Sequence, residues 1–244
     1  LSEKTRQDVF AFEEGSILPV NMPPNAEVKE STIAPPKNQR ERITFDVLRP
    51  EIPAEKRKQF KITDPELGYG TPSKKYAANA AAIRTLKRIE EEGRLATAEE
   101  QEVLSRYVGW GGLADCFEEG HSKYQELKAL LTEEEYSAAR ASTLTAFYTS
   151  PVIIEAVYHA LSQMGFREGN ILEPACGIGN FIGMLPQSMA ESRAYGVEID
   201  SISGRIAQQL YQNSRIAVNG FEKVDMPDSF FDVAIGNVPF GDLR

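Results

Sequence analysis

Residues 171–183 read ILEPACGIGNFIG, and this stretch decides the fold of the chain around it. A short strand is predicted over 170–172, Gly177 and Gly179 mark a tight loop, and the residues from 180 to 184 are predicted to open a helix. Glycine at those two positions allows the backbone to turn sharply and to approach a ligand closely. The stretch therefore predicts a strand, a ligand-binding loop and a helix in succession.

The glycine loop does not match the common phosphate-binding patterns. A dinucleotide fingerprint requires a third glycine where the chain has Ile182, and the next glycine comes only at Gly183. A triphosphate-binding loop requires a lysine followed by serine or threonine, which the stretch lacks. The loop is therefore expected to bind a ligand that has no phosphate chain at this point.

An acidic strand end indicates which ligand this is. The strand predicted over 194–199 runs into GVEID, where Glu198 follows the glycines by about twenty residues, and a carboxylate at this spacing accepts hydrogen bonds from both ribose hydroxyls. Taken alone, Glu198 is better explained as a solvated strand end, but together with the glycine loop it predicts a nucleoside. S-adenosylmethionine fits, because it has a ribose, an adenine and a charged methionine tail, whose cationic end Glu173 can face.

Strands and helices alternate over residues 147–244. The other predicted elements are helices over 151–163, with Ser150 as N-cap and Pro151 as first residue, and over 203–211, and strands over 216–218 and 231–235. This alternation predicts an α/β fold with a Rossmann-like parallel sheet of about four strands. Phe221 and Glu222 follow the third strand, where an aromatic face and an acceptor suit the adenine, with Asp225 as a competitor for that contact.

The fourth predicted strand leads into IGNVPFGD, residues 235–242, and ends at Asn237. The first and fourth strands flank the switch point of an open α/β sheet, where ligands bind. An adenine amino group is a poor nucleophile, because its lone pair is delocalised, and two acceptors on its hydrogens help to localise that pair. Asn237 can offer its side-chain oxygen, Val238 or Pro239 a carbonyl, and Phe240 a face on which a flipped base can stack.

This chemistry requires neither a metal ion nor a covalent nucleophile, because the methyl group of the donor carries its own leaving group. Methylation of cytosine carbon-5 would require a cysteine after a proline in this region, which has none. The tetrapeptide alone is a weak signal and is explained equally well as a plain turn. The signal lies in the order of four segments: FYTSP at 147–151, EPACGIGNF at 173–181, GVEID at 196–200 and NVPF at 237–240.

This order of motifs resembles the amino-methyltransferases of DNA adenine in which the donor-binding motifs precede the catalytic one. The resemblance implies that the donor is bound by Phe147, Thr149, Pro151, Glu173, Ala175, Gly177, Gly179 and Glu198. It implies that Asn237, Pro239 and Phe240 act on an adenine flipped out of double-stranded DNA. Val238 departs from the usual pattern of Asn or Asp, Pro, Pro and an aromatic residue, which bears on the rate more than on the role.

A closer resemblance covers the chain from about Phe60 onward. KITDPELGYG, AIRTLKRIEEEGRLAT, LSRYVGWGGL and NVPFGD resemble the methyltransferase region of large methyltransferase–helicase proteins of conjugative elements and phages. The resemblance implies a helicase region in the same longer protein, although the 244 residues contain no helicase motif.

The chain before residue 147 divides at about residue 72. Over 1–72, prolines and scattered charges predict an extended linker arm, with a short strand over 43–48 and with disorder an equal alternative for the first forty residues. Over 73–146 the pattern predicts a helical subdomain, in which Thr97 and Thr132 each begin a capping box. Glycines around Trp110 predict an irregular loop with a buried indole rather than a ligand contact.

Charge, cysteine content and hydropathy limit the kinds of protein that this chain can be. The formal net charge of −9 argues against a surface coated in basic charge, while leaving room for a local basic face. Cys116 and Cys176 give no disulfide framework and suit a reducing cytoplasm. No apolar run approaches the ~20 residues that a membrane span requires.

Three interpretations stay open at this point. The first is a DNA adenine N6-methyltransferase, the second an amino methyltransferase acting on RNA or protein, and the third a non-catalytic DNA- or donor-binding module of a helicase-containing mobile-element protein. Such a methyltransferase sheet usually has more strands, so we expect either an N-terminal piece of a longer protein or a sheet that another chain completes. We expect this piece to bind the donor weakly, to methylate poorly alone and to be able to self-associate through an uncovered sheet edge.

Overall fold

The structure, a computed structural model, describes residues 44–144 and 148–237. The helical part consists of α1 (Pro72–Glu91), α2 (Ala98–Leu104), α3 (Tyr124–Leu130) and α4 (Glu133–Ala141). The part that follows contains α5 (Pro151–Gln163), β1 (Asn170–Glu173), α6 (Asn180–Gly183), β2 (Arg193–Glu198), α7 (Ser201–Leu210), β3 (Arg215–Val218) and β4 (Val233–Ala234). The predicted alternation of strands and helices is confirmed.

Local sequence signals account for where the helices begin. The Thr97 side chain accepts a hydrogen bond from the backbone of Glu100, whose carboxylate accepts one from the Thr97 N–H in return, and Thr132 with Glu135 repeats this arrangement. Both predicted capping boxes are therefore confirmed. Pro151 is the first residue of α5, although the Ser150 side chain makes no capping hydrogen bond.

The sheet has the strand order β3-β2-β1-β4, and its paired strands are parallel. Leu172 of β1 aligns with Tyr195 of β2 on one side and with Ala234 of β4 on the other. The order reverses between β1 and β4, which is the switch point where open α/β sheets bind ligands beyond their carboxyl ends. The predicted Rossmann-like α/β fold and the pairing of the first and fourth strands are confirmed.

The helical part and the sheet share a hydrophobic core. Ile83 and Leu86 of α1, Leu104 of α2 and Ile206 and Leu210 of α7 are fully buried in a common cluster. Burial of aliphatic side chains of this size contributes about 1.5–3 kcal/mol each. The helices of the first part are therefore held against α7, which follows the acidic end of β2.

Buried amides join α2 to the end of α7. Gln101 Nε2 donates to the carbonyl oxygens of Gln209 and Leu210 at 2.8 and 2.9 Å, and the Ala96 N–H donates to Gln209 Oε1 at 2.8 Å. Gln212 Nε2 donates to the Ala96 carbonyl oxygen at 2.9 Å. These bonds provide hydrogen-bond partners for buried backbone groups of Ala96, Gln209 and Leu210.

The loop around Trp110 packs its indole into the core of the helical part. Trp110 is 1% exposed, and its ring meets the ring of Phe117 edge to face with centroids 5.4 Å apart. The prediction of a buried indole is confirmed.

The segment before α1 follows the sheet without adding a regular strand to it. Residues 44–48 form no strand, so the strand predicted over 43–48 is wrong for its described part. Phe45 instead packs its ring edge-on against Tyr195, with centroids 5.4 Å apart, and this aromatic contact explains the apolar residue that suggested a strand. Further along, the Phe60 N–H donates to the Leu210 carbonyl oxygen and the Ile62 N–H to that of Gly183.

Charged residues recur along α1, the longest described helix, which has 20 residues. Within the described ranges, no helix combines the length with the apolar composition that crossing a bilayer demands.

Candidate active site

A cavity of about 730 Å³ opens at the carboxyl edge of the sheet. It is lined by residues that follow each of the four strands, by residues just before α5 and by residues of the helical part. The predicted site residues that line it are Thr149, Glu173, Ala175, Gly177, Glu198, Phe221, Glu222 and Asn237. Small-molecule sites commonly have volumes of about 300–1,000 Å³, so a nucleoside with an amino-acid tail fits this space.

The two glycines of the loop adopt conformations that other residues rarely take. Gly177 has φ 55° and Gly179 has φ 82°. A Cβ at Gly177 would lie 2.3 Å from Cε1 of Tyr148, and one at Gly179 would lie 2.5 Å from Cε2 of Tyr211. Both positions therefore require glycine, for the turn itself and for the close approach of a tyrosine ring.

Glu198 ties the glycine loop to the end of β2. Its Oε2 accepts a hydrogen bond from the Gly177 N–H at 2.6 Å, and its Oε1 accepts one from the Asp200 N–H at 2.7 Å. Burial raises the pKa of Glu198, although its bonds to the backbone N–H groups act in the opposite direction. Each carboxylate oxygen keeps a further lone pair, so Glu198 can also accept hydrogen bonds from two hydroxyls in the cavity.

Glu173 is a buried carboxylate in the wall of the same cavity. Only 4% of the residue is exposed, and within the described part of the chain its Oε2 has no hydrogen-bond partner. Burial, followed by the negative charge of Glu198, holds the pKa of Glu173 well above its usual range. A cation in the cavity would relieve this arrangement, so the orphaned oxygen fits the cationic end of S-adenosylmethionine.

Asn237 lies just beyond β4, exposed and in the lining of the cavity. The Ile235 N–H donates to the Leu172 carbonyl oxygen at 2.9 Å, which continues the pairing with β1 past the end of β4. A Cβ on Gly236 would lie 3.6 Å from Pro174 and 3.7 Å from Glu173. The chain therefore passes beside the end of β1 immediately before Asn237.

Five predicted site residues do not line the cavity or cannot be located. Gly179 is the N-cap of α6, and Pro151 is the buried first residue of α5, so both shape the site without lining it. Phe147, Pro239 and Phe240 lie outside the described residues.

Both residues predicted to meet the adenine line the cavity. Phe221 and Glu222 belong to a short 3-10 turn, Phe221–Lys223, that follows β3. Phe221 is 49% exposed, and Ile199, which also lines the cavity, is 77% exposed. Asp225, the competing candidate, is not among the lining residues.

Sequence reasoning missed several lining residues, among them Tyr107, Tyr148, Asn180, Asp200, Ser203 and Asn219. The Tyr148 hydroxyl forms a 2.9 Å hydrogen bond with Ser203 Oγ, and Asp200 caps α7 by accepting from the Ser203 N–H at 2.8 Å. Tyr148 lies in FYTSP and Asp200 in GVEID, so the sequence motifs indicated these two segments without indicating the two residues themselves. The pairing of Tyr148 with α7 is a long-range contact that no local pattern reveals.

Metal ligands are not grouped in the described residues. No three His, Cys, Asp or Glu side chains there come close enough together to hold a metal ion.

Two curated proteins are similar to the chain in sequence, and no protein-family model matches it. Defense against restriction protein B of Escherichia phage P1 is 30% identical over 166 residues, which is 67% of this chain and 6% of that protein. The type II methyltransferase M.CvrRI of Paramecium bursaria Chlorella virus XZ-6E is 36% identical over 118 residues, 48% of this chain and 30% of that protein. The chain thus spans less than a third of the length of either relative.

Among solved structures, a protein of Listeria monocytogenes assigned to the class I S-adenosylmethionine-dependent methyltransferases matches with a TM-score of 0.33 and 16% identity. The match covers 68% of this chain and 60% of that one, and at this TM-score it has no bearing on function. The chain thus has a Rossmann-like strand order and is similar over 118 residues to a type II methyltransferase.

Proposed function

We propose that this chain transfers a methyl group from S-adenosylmethionine to the exocyclic amino group of adenine in DNA. The observation that carries the proposal is the meeting of Glu173, Glu198 and Asn237 in the lining of one cavity at the switch point of the sheet. These residues come from the ends of three strands, and each has the chemistry that one part of the reaction requires.

Two carboxylates serve the donor. Glu198, already held by the N–H groups of Gly177 and Asp200, accepts hydrogen bonds from the ribose hydroxyls. Glu173, with its unpartnered Oε2, faces the cationic end of the methionine tail. The exposed side chains of Phe221 and Ile199, which line the same cavity, suit the adenine ring.

Asn237 serves the acceptor. Its amide oxygen accepts a hydrogen bond from the adenine amino group, which localises the nitrogen lone pair for attack. The donor supplies an electrophilic methyl group with its own leaving group, so the chain has only to bind and align the two reactants. Pro239 and Phe240 remain proposals for the second acceptor and for the stacking face.

The relatives support a methyl-transfer reaction in a setting of restriction and modification. One is named a type II methyltransferase and the other a defense protein against restriction. Methylation of DNA is the reaction that joins these two names, and it agrees with the Asn-centred motif after β4.

The test is transfer of a tritiated methyl group from S-adenosylmethionine to DNA, RNA and protein in parallel. Because the chain is expected to methylate poorly alone, we expect a low level of label in DNA with the wild-type chain, and its loss with Asn237→Ala. Asn213→Ala is the matched control, because Asn213 is exposed in the loop between α7 and β3, away from the cavity. Label confined to RNA or protein, or equal labelling of DNA by the wild type and Asn237→Ala, would overturn the proposal.

A further inference from the structure

A second, smaller cavity of about 220 Å³ adjoins the first one. The two cavities share a wall made of Tyr107, Tyr148, Thr149 and Asn180. Beyond this wall the smaller cavity is lined by residues of the helical part and of the segment before it. The main site therefore borders a chamber to which the helical part contributes.

The two cavities differ in charge. The larger cavity is acidic. Among the described residues that line it are Glu173, Glu198, Asp200 and Glu222, and none of them is a lysine, arginine or histidine. In the described lining of the smaller cavity, Lys75 is the one charged residue.

S-adenosylmethionine requires both signs of charge at its amino-acid end. The ammonium group matches the acidic cavity, where Glu173 Oε2 and also Asn180 Oδ1 are buried without hydrogen-bond partners. The α-carboxylate is a poor match for the same lining, because four acidic side chains would repel it. A cation close to the acidic site is needed to offset that repulsion.

Lys75 meets this requirement. It lies in the first turn of α1, is half-buried, and has no ion-pair partner among the described residues. The hydroxyl of Ser150, which makes no capping bond to α5, lines the same chamber and can donate a hydrogen bond. Lys74, the residue before Lys75, is exposed and does not line either cavity.

We infer that the smaller cavity binds the α-carboxylate of the methyl donor, with Lys75 of the helical part as its counter-ion. This inference rests on the proposed function, since it takes the larger cavity as the donor site. It assigns to the helical part a direct role in recognising the donor. The same region otherwise contributes the core that supports α7.

The test is calorimetric binding of two ligands to the full chain and its variants. S-adenosylhomocysteine has the amino-acid end, whereas 5′-methylthioadenosine has the same nucleoside without it. We expect Lys75→Gln to lower the affinity for S-adenosylhomocysteine roughly tenfold, as the loss of a hydrogen bond to a charged group does. The affinity for 5′-methylthioadenosine should stay unchanged. Lys75→Arg should keep most of the affinity, and Lys74→Gln should bind both ligands as the wild type does.

Three results would overturn the inference. One is equal S-adenosylhomocysteine affinity for Lys75→Gln and Lys74→Gln. Another is a Lys75→Gln variant that loses affinity for a DNA oligonucleotide but keeps it for S-adenosylhomocysteine, which would assign the lysine to a phosphate group. If the wild type binds neither small ligand, the proposed function fails as well, so the two failures are distinguishable.

Discussion

Replacing Glu173 with glutamine is predicted to stabilise the ligand-free protein. The residue is 4% exposed, and Oε2 of its carboxylate has no hydrogen-bond partner among the described residues. Glutamine keeps the shape of the side chain and removes the charge, so the unfavourable burial of an ionised group disappears. The amide is itself a buried polar group, so the gain comes only from removing the ionisation that neutral pH favours, and we expect it to be on the order of 1 kcal/mol in the free energy of unfolding at neutral pH.

The gain should depend on pH in a defined direction. Burial and the negative charge of Glu198 raise the pKa of Glu173 in the folded state, so folding retains a proton that the unfolded chain releases. The stability of the wild type therefore falls as the pH rises above the unfolded pKa of about 4.3. Glu173→Gln escapes this loss, and its advantage over the wild type should grow from acidic to neutral pH.

The same substitution at Glu198 should have the opposite effect. Its two oxygens accept from the backbone N–H groups of Gly177 and Asp200 at 2.6 and 2.7 Å. A glutamine amide has one acceptor oxygen, so one of these N–H groups would face an NH₂ group. We expect Glu198→Gln to lower the free energy of unfolding by ~1–3 kcal/mol.

Urea denaturation at acidic and neutral pH measures both effects. Trp110 is the only tryptophan and is 1% exposed, so its fluorescence reports unfolding of the shared core. Calorimetry with S-adenosylhomocysteine should show weaker binding for Glu173→Gln despite its higher stability. The reasoning is refuted if both glutamine variants shift stability in the same direction, or if Glu173→Gln destabilises the chain at neutral pH.

Two further predictions concern packing and charge. Gly179→Ala should lower the free energy of unfolding by more than ~2 kcal/mol, because the residue has φ 82° and the new Cβ would lie 2.5 Å from Tyr211. Gly112→Ala, with φ 72° and nothing within 4 Å of the new Cβ, should lower it by only about 1 kcal/mol. Equal losses for the two variants in urea titrations would contradict this prediction. Glu135→Gln should lower the free energy of unfolding by ~1–3 kcal/mol, since this buried carboxylate pairs with Lys87 of α1 and Arg205 of α7. Glu126→Gln removes an exposed ion pair with Arg84 and should lower it by ~0–1 kcal/mol. A larger loss for Glu126→Gln than for Glu135→Gln would refute this prediction.

Local chemistry made most of the fold predictable. Threonines followed three residues later by glutamate began α2 and α4 as expected, and glycines with positive φ stand where the loop must turn. The short strand expected over 43–48 was wrong. Phe45, one of the apolar residues of that segment, packs against the ring of Tyr195 and belongs to no strand. A single apolar residue does not distinguish such a ring contact from pairing in a sheet.

The site was predictable only where its residues follow strands. Glu173, Glu198 and Asn237 meet because parallel strands bring their carboxyl ends to one edge. Tyr148 against Gly177, and Lys75 beside the donor cavity, depend on how α1 and the segment before α5 pack, which is decided by side chains far apart in sequence. No periodicity or spacing in the chain encodes those contacts directly.

The central claim is tested most directly by finding the atom that receives the methyl group. DNA incubated with the chain and with S-adenosylmethionine bearing a deuterated methyl group is digested to nucleosides and analysed by mass spectrometry. The account predicts deuterated N6-methyl-2′-deoxyadenosine from the wild type and from Asn213→Ala, and none from Asn237→Ala. Deuterium on another base, or undiminished N6-methyl-2′-deoxyadenosine from Asn237→Ala, would contradict it.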